Sequence, residues 1–454
     1  MRWVAAAFAG CLLATLPATL VPQSENPSYV RSERLNYEAF SPLGPAHRHL
    51  VIGSCEVAIP TVANDLDKPG APARNVTTAW FGNIANFVLR NEYKGAGQSA
   101  FYDFSAPNTD MAQHTALLYQ ALQVPGLQSV LYVNGLSLGH AVPPDETLEV
   151  VAVLEALERD YPVAADSVRA YRALQMARPA FAEGERRFGA DWRSHIRPVT
   201  ATFEAPGAVT LDLNERAPPP GADWKALVQF NLVAAKKLAV TLAGGPVSLA
   251  NLALSQLGFD QRRRDEDVRK ELAWAGRFYD RPQNHGPIKP MRGSKYLDEE
   301  EEFNHRWLVM AAELLKAKGA RLVIYGQPML VLPRDEYRDG FTPRYVDRAA
   351  QWLAAYDPVI IDQTWAHDLT NRDFAIHCPA DKPECVAGEF QQNGYYPTII
   401  GRYKQVHLLI DAMRERGLLQ ADHRSGRPAW RQIESVTAMP QCIEYEGDPM
   451  RCRP

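Results

Sequence analysis

The chain lacks the features that mark several large function classes. Its 454 residues carry 49 Lys and Arg against 53 Asp and Glu, a formal net charge of -4. It has no long basic tail and no Arg-Gly-Gly-like segment. Nucleic acid, whose phosphates are met by clustered positive charge, is therefore not an expected partner. No Gly-x-Gly-x-x-Gly and no Walker sequence occurs, so nothing announces a nucleotide. There are only 6 cysteines, none in a Cys-x-x-Cys, and no accompanying cluster of histidines, so neither a metal nor another cofactor is expected. No internal repeat is visible. What remains is ordinary for a soluble globular protein with a sizeable core, 46% hydrophobic and 22% charged. The length allows two or three domains, or one large α/β domain with an insertion.

The N-terminus is apolar. Met1-Arg2 precedes an uncharged run from Trp3 to Val21 that is rich in Ala and Leu. One positive charge followed by such a run is the pattern of a secretory signal or an N-terminal membrane anchor, with a buried helix as the alternative. On the export reading the body of the protein lies outside the cytoplasm. Cysteine placement agrees with it. Cys378 with Cys385 and Cys442 with Cys452 form two close pairs, which in an exported protein read as small disulfide loops.

Hydrophobic periodicity organises the rest. Residues 1–22 are the leader, and 23–46, rich in Pro, Ser, Asn and Glu, are a linker. Strand signals at His49–Ile52, Ser99–Phe104 and Leu127–Val133 alternate with helix signals at Trp80–Asn91 and about Asp110–Gln123, which argues for a parallel sheet. Residues 143–297 break that rhythm and read as a mainly helical insertion, clearest at Glu149–Arg159, Ala165–Met176, Lys225–Leu242 and Val247–Leu257. Alternating charge over Arg262–Lys270 reads as a solvated helix face. The α/β rhythm returns with helix Glu300–Lys318, strand Arg321–Tyr325, helix Pro343–Ala355, strand Pro358–Ile361, a long loop, and a last helix over about Thr398–Arg416. The α/β domain thus occupies 47–142 and 298–417, and the tail 418–454 holds the second cysteine pair. The expected fold is α/β, a three-layer sandwich on a mostly parallel, flavodoxin-like sheet with a mainly helical insertion.

The stretch most suggestive of chemistry is His49-Leu50-Val51-Ile52-Gly53-Ser54. A strand that ends on Gly-Ser and turns into a helix sets the serine at the carboxyl edge of a parallel sheet, where open α/β sheets bind ligands. Gly53 lets a substrate approach the backbone, and free N–H groups at the helix start can hold an oxyanion. A plain strand–turn–helix junction is the alternative. Together with Ser105-Ala106-Pro107-Asn108 after the second strand, Val133-Asn134-Gly135 after the third and Asn393-Gly394-Tyr395-Tyr396-Pro397-Thr398 before the last helix, this block resembles the SGNH/GDSL hydrolase superfamily over about residues 47–140 and 300–417. The closest likeness is to exported or membrane-anchored members that acylate cell-envelope polymers.

The resemblance implies a nucleophile at Ser54, oxyanion or substrate contacts from Gly53, from Ser105–Asn108 and above all Asn108, and from Asn134. It also implies an Asp-x-x-His before the final helix. That last block departs from the family, since Asn393 stands at the Asp position and Tyr396 at the His position. Asn does not hold an imidazolium, and a tyrosine of ordinary acidity is a poor base at neutral pH. His377, with Asp373 or Asp362 as its carboxylate, is the substitute base; His367 with Asp368 is a further candidate. His114, His140 and His305 read as helix-surface or packing residues. Two functions follow. One is an exported serine esterase or O-acyltransferase acting on an acylated glycan or other ester. The other is a degenerate relative that binds a glycan or an envelope membrane-protein partner, with Asn393 and Tyr396 as binding residues.

Overall fold

The computed structural model describes residues 45–53, 81–105, 111–133, 142–195, 265–273, 275, 301–328, 341–363, 373–377 and 391–423, with 39, 57, 444–445 and 448–449 as isolated pieces. The expected helices at Lys225–Leu242 and Val247–Leu257, the apolar leader and all six cysteines lie outside these residues. The chain forms two compact units. One contains residues 45–111, 126–140 and 264 onward; the other contains 112–125 and 141–263.

The first unit is built on five strands: β1 (His47–Ile52), β2 (Ser99–Asp103), β3 (Leu127–Val133), β4 (Arg321–Gly326) and β5 (Val359–Asp362). All neighbours pair in parallel in the order β2-β1-β3-β4-β5. The expected parallel α/β sheet is thus present, and it is doubly wound, with its topological switch point between β1 and β3. β1 and β3 are buried on both faces, which explains their continuous apolar runs.

One face of the sheet presents Val51, Phe101, Leu131, Val133, Val323, Tyr325, Val359 and Ile361. These form a single core with helix α1 (Phe81–Glu92) and with the last helix, here α8 (Ile399–Glu415). The opposite face carries α6 (Glu301–Lys318) and α7 (Phe341–Trp352), which pack on β4 and β5. Trp307 of α6 meets Tyr132 there, with ring centroids 4.8 Å apart. His305 stacks on Trp352, a packing role as expected. Gly319 closes α6 at φ 76°, where only glycine is unstrained.

The second unit holds α2 (Met111–Gln123) with α3 (Pro144–Asp160), α4 (Ala165–Met176) and α5 (Pro179–Phe188). Leu148, Val151, Ala152, Phe181, Phe188 and Trp192 form its core. α3 starts five residues before the expected Glu149, because Pro144 suits the first helical position and Asp145 and Glu146 suit the positive end of the dipole. α5 has no counterpart in the sequence reading, since only Phe181, Gly184 and Phe188 of its ten residues are buried. His114 is buried, and burial pushes its imidazole down to about 3, so it packs as a neutral group.

Two further expectations change. Residues 265–273 are helical, but their charges are not simply solvated. Arg90 of α1 donates to Asp265 through Nε at 3.2 Å and Arg269 donates to Asn91 at 2.6 Å, while Val268 joins the core. The region expected as a long loop before α8 contains an antiparallel ribbon, β6 (Phe374–His377) against β7 (Gln391–Pro397), with Phe374 opposite Pro397 and His377 opposite Gln391.

One core contact gives the sheet a pH dependence. His49 of β1 lies 2.8 Å from the Ser129 hydroxyl of β3 and is buried. Burial, aided by nearby His47, pushes its imidazole down from 6.5 to about 4. The unfolded chain takes up a proton near pH 6.5 and the folded chain does not until about pH 4, so stability is full above about 6.5 and falls with pH through that window. His49 therefore removes about 2 kcal/mol between about pH 7 and about pH 5. Urea midpoints of wild type and His49→Gln at the two pH values check this: the variant loses less on acidification than wild type.

Candidate functional site

Parallel topology brings the carboxyl ends of β1, β2, β3, β4 and β5 to one edge of the sheet, and Gly53, Ser54, Asn108 and Asn134 follow the ends of β1, β2 and β3 in the sequence. Gly53 is the buried residue just past β1. β1 and β2 stay paired to their tips, since the Phe104 N–H donates to the Val51 carbonyl at 2.8 Å. This brings Ser105 to the same edge as Gly53. The Ser105 hydroxyl is buried and has no hydrogen-bond partner among the described residues. Ser54, Asn108 and Asn134 each follow these described strand ends and themselves lie outside the described residues, as do His367 and Asp368.

Asp103, the last residue of β2, is not available for chemistry. The Gly82 N–H at the start of α1 donates to both its carboxylate oxygens, at 3.1 and 2.9 Å. A carboxylate there satisfies an orphan helix donor and faces the positive end of the dipole. Gly82 itself packs tightly, since a Cβ would lie 3.1 Å from the Phe101 carbonyl.

The ends of β4 and β5 carry a polar floor that the sequence reading missed. The Tyr325 hydroxyl donates to Gln363 at 3.2 Å, and Gln363 donates to the Leu408 carbonyl of α8 at 2.8 Å. Gln405 of α8 donates to Gln327 at 3.2 Å, and Arg402 donates to Gln405 at 2.8 Å. The Arg402 guanidinium also lies over the Phe81 ring, 5.4 Å from its centroid. Burial pushes the Tyr325 phenol well above its ordinary range, so Tyr325 is a donor and not a base at neutral pH.

Asp373 is the predicted catalytic residue whose surroundings are clearest. It is 0% exposed, and so is Lys404 of α8, whose ammonium donates to its Oδ2 at 3.1 Å. Its carbonyl accepts from the Thr398 N–H at 2.7 Å and from the Thr398 hydroxyl at 3.2 Å. Thr398 caps α8 in turn by accepting the Gly401 N–H at 3.1 Å. Gly401 must lack a side chain, because a Cβ would lie 2.0 Å from the Asp373 carbonyl oxygen. The Asp373 carboxylate is thus engaged by a buried cation at the start of α8. His377, Asn393 and Tyr396 sit on the paired strands β6 and β7, which enter α8 beside this contact; their side chains lie outside the described ones. Asp362, the other carboxylate considered for His377, ends β5 and is exposed.

Among the described residues no group of His, Cys, Asp and Glu could hold a metal ion, and no helix is long and apolar enough to cross a membrane. Comparison with protein-family models, with curated proteins and with solved structures gives no match.

The buried pair yields a stability prediction. Lys404→Met leaves the Asp373 carboxylate in the interior without its ammonium, at a cost of about 3–5 kcal/mol. Adding Asp373→Leu to Lys404→Met returns part of that loss, because both charges are then gone. Urea denaturation of the two single variants and the double variant checks this, and effects that simply add would contradict it.

Proposed function

We propose that the chain is an SGNH-type serine ester hydrolase or O-acyltransferase, exported or membrane-anchored, acting at the carboxyl edge of the sheet on an acylated glycan or a similar ester. The observation that carries this reading is the buried Gly53 at the end of β1, next to the switch point, with Ser54 as the following residue. The strand order supports it, since β2-β1-β3-β4-β5 is the flavodoxin-like order that the resemblance implies. So does the sequence at the three adjacent strand ends, which supplies Ser54, Ser105–Asn108 and Asn134.

In this reaction the Ser54 hydroxyl oxygen bonds to the acyl carbon while His377 takes its proton. The tetrahedral oxyanion is held by N–H groups after Gly53 and by Asn108 and Asn134. The C–O bond of the ester breaks, and the leaving alkoxide takes the proton from His377. His377 then takes the proton of a water molecule or a glycan hydroxyl as its oxygen bonds to the acyl carbon, the acyl carbon–Ser54 Oγ bond breaks, and Oγ takes the proton back, which gives hydrolysis or transfer. The carboxylate that orients His377 is Asp373 or Asp362; the second is the more accessible of the two.

One observation favours a second reading, a non-catalytic relative that binds a glycan or an envelope partner. Asp373 is buried against Lys404, and the family's Asp and His positions read Asn393 and Tyr396. The two readings separate on reactivity. On the enzyme reading the purified full chain releases p-nitrophenol from p-nitrophenyl acetate and takes up a fluorophosphonate at Ser54, and Ser54→Ala removes both signals. Turnover unchanged in Ser54→Ala, or no labelling of the folded wild type, favours the binding reading.

A further inference from the structure

α6 brings a buried amide to the carboxyl edge of the sheet. A two-residue connection, Gly319-Ala320, turns the chain back from α6 into β4, on which the helix packs. α6 therefore runs antiparallel to the strands, and its first turn lies toward their carboxyl ends. Asn304, Trp307, Ala311 and Leu314 follow at intervals of three, four and three on its buried side. Trp307 marks the height, since it meets Tyr132, the last residue but one of β3. Asn304 lies one turn nearer the edge on the same stripe. Tyr325 belongs to the core on the other face, so Gly326 ends β4 on the α6 side and adds no side chain there.

Asn304 is 1% exposed, and neither its Oδ1 nor its Nδ2 has a hydrogen-bond partner among the described residues. A buried amide left unpaired is unfavourable compared with an apolar side chain of the same shape, so a ligand is the partner left to consider. The Ser105 hydroxyl, at the end of β2, is in the same condition. The Asn304 amide is neutral and offers an acceptor oxygen beside two donor hydrogens, a set that matches adjacent hydroxyls of a sugar. An anion is disfavoured in that turn. Glu301 and Glu302 already stand at the positive end of the α6 dipole, and the nearby cations Arg348 and Arg306 are engaged with them at 2.8 and 3.8 Å.

We propose that Asn304 is a glycan-binding residue of the carboxyl edge, whose amide donates to and accepts from adjacent hydroxyls of a neutral sugar. Water reaches neither amide atom, so the sugar meets them by local opening of the edge. The role of Asn304 rests on the reading above in placing a glycan at that edge, and it narrows the glycan to a neutral one.

The test is isothermal titration of the full chain carrying Ser54→Ala, so that acyl groups stay in place, with O-acetylated xylotetraose and with O-acetylated tetragalacturonate. The xylotetraose binds the more tightly. Adding Asn304→Leu weakens its binding about tenfold, as expected for the loss of two neutral hydrogen bonds. The urea midpoint does not fall, because the amide that is removed has no partner before the sugar binds. Gln175→Leu is the control. Gln175 of α4 is also buried, and neither of its amide atoms has a partner among the described residues; its variant keeps both the midpoint and the affinity. Equal affinity in Asn304→Leu, or tighter binding of the tetragalacturonate, overturns the proposal. If Asn304→Leu does not fold, Asn304→Ala is read in the same way. Fluorophosphonate labelling of Ser54 in wild type separates the two questions. Labelling without xylotetraose binding overturns the role of Asn304 and leaves the hydrolase standing. Binding that Asn304→Leu weakens, without labelling, supports the role of Asn304 and removes the hydrolase.

Discussion

The contact on which the carboxyl edge depends is the docking of Asp373 onto the first turn of α8. Three interactions coincide there: the Thr398 N–H and hydroxyl on the Asp373 carbonyl, the Lys404 ammonium on its carboxylate, and the bare Cα of Gly401 against its backbone. A buried ion pair of this kind adds little net stability compared with an apolar pair, because both charges must be desolvated. What it does is fix direction. It sets where the β6–β7 ribbon ends and where α8 begins. α8 in turn brings Arg402, Gln405 and the Leu408 carbonyl to Gln327 and Gln363, at the ends of β4 and β5. The floor of the candidate site is therefore positioned through a helix and not by the strands alone.

α1 and α8 share an apolar middle and polar ends. Phe81, Ile84, Phe87 and Val88 of α1 and Ile399, Val406, Ile410 and Met413 of α8 belong to one core with the sheet. At one end lie Asp103 on the Gly82 N–H and Arg402 over Phe81. At the other lies the cluster of Glu92, His407, Tyr93 and Asp411. Apolar burial supplies most of the driving force in such a layer. The polar ends restrict how far the two helices can slide, since each misplaced group would remain buried without its partner. A rigid helix pair of this type suits a site that has to hold groups from several strand ends in register.

The strands were legible because each is a short apolar run closed by a turn residue: Leu127–Val133 emerges with the bounds expected, and His49–Ile52 gains only His47 and Arg48. The bounds of α6 and α8 were legible for the same local reason: Glu301–Lys318 against the expected Glu300–Lys318, and Ile399–Glu415 against about Thr398–Arg416. The polar floor was not. Arg402, Lys404, Gln405 and His407 look like the solvent face of an amphipathic helix, yet all four are buried. A signal was present in their spacing. Tyr403, His407, Asp411 and Arg414 fall at intervals of four, four and three, a polar stripe on one side of a helix whose other positions are also apolar or buried. The β6–β7 ribbon was hidden by the residues that separate its strands, since pairing at that distance leaves no turn signature. Gly53 was legible as the end of β1, and Ser54 as the residue after it. The partner of Asp373 was not, because Lys404 lies 31 positions along the chain.

In the proposed reaction Ser54 is a nucleophile at the edge where β1, β2 and β3 end. The most direct measurement is a crystal structure of the full chain after reaction with an organophosphonate ester. The account predicts phosphorus bonded to Ser54 Oγ, phosphonyl oxygen facing Asn134 and the N–H groups after Gly53, and His377 within hydrogen-bond reach of Oγ. An unmodified Ser54 with Tyr396 as its only polar neighbour would contradict it.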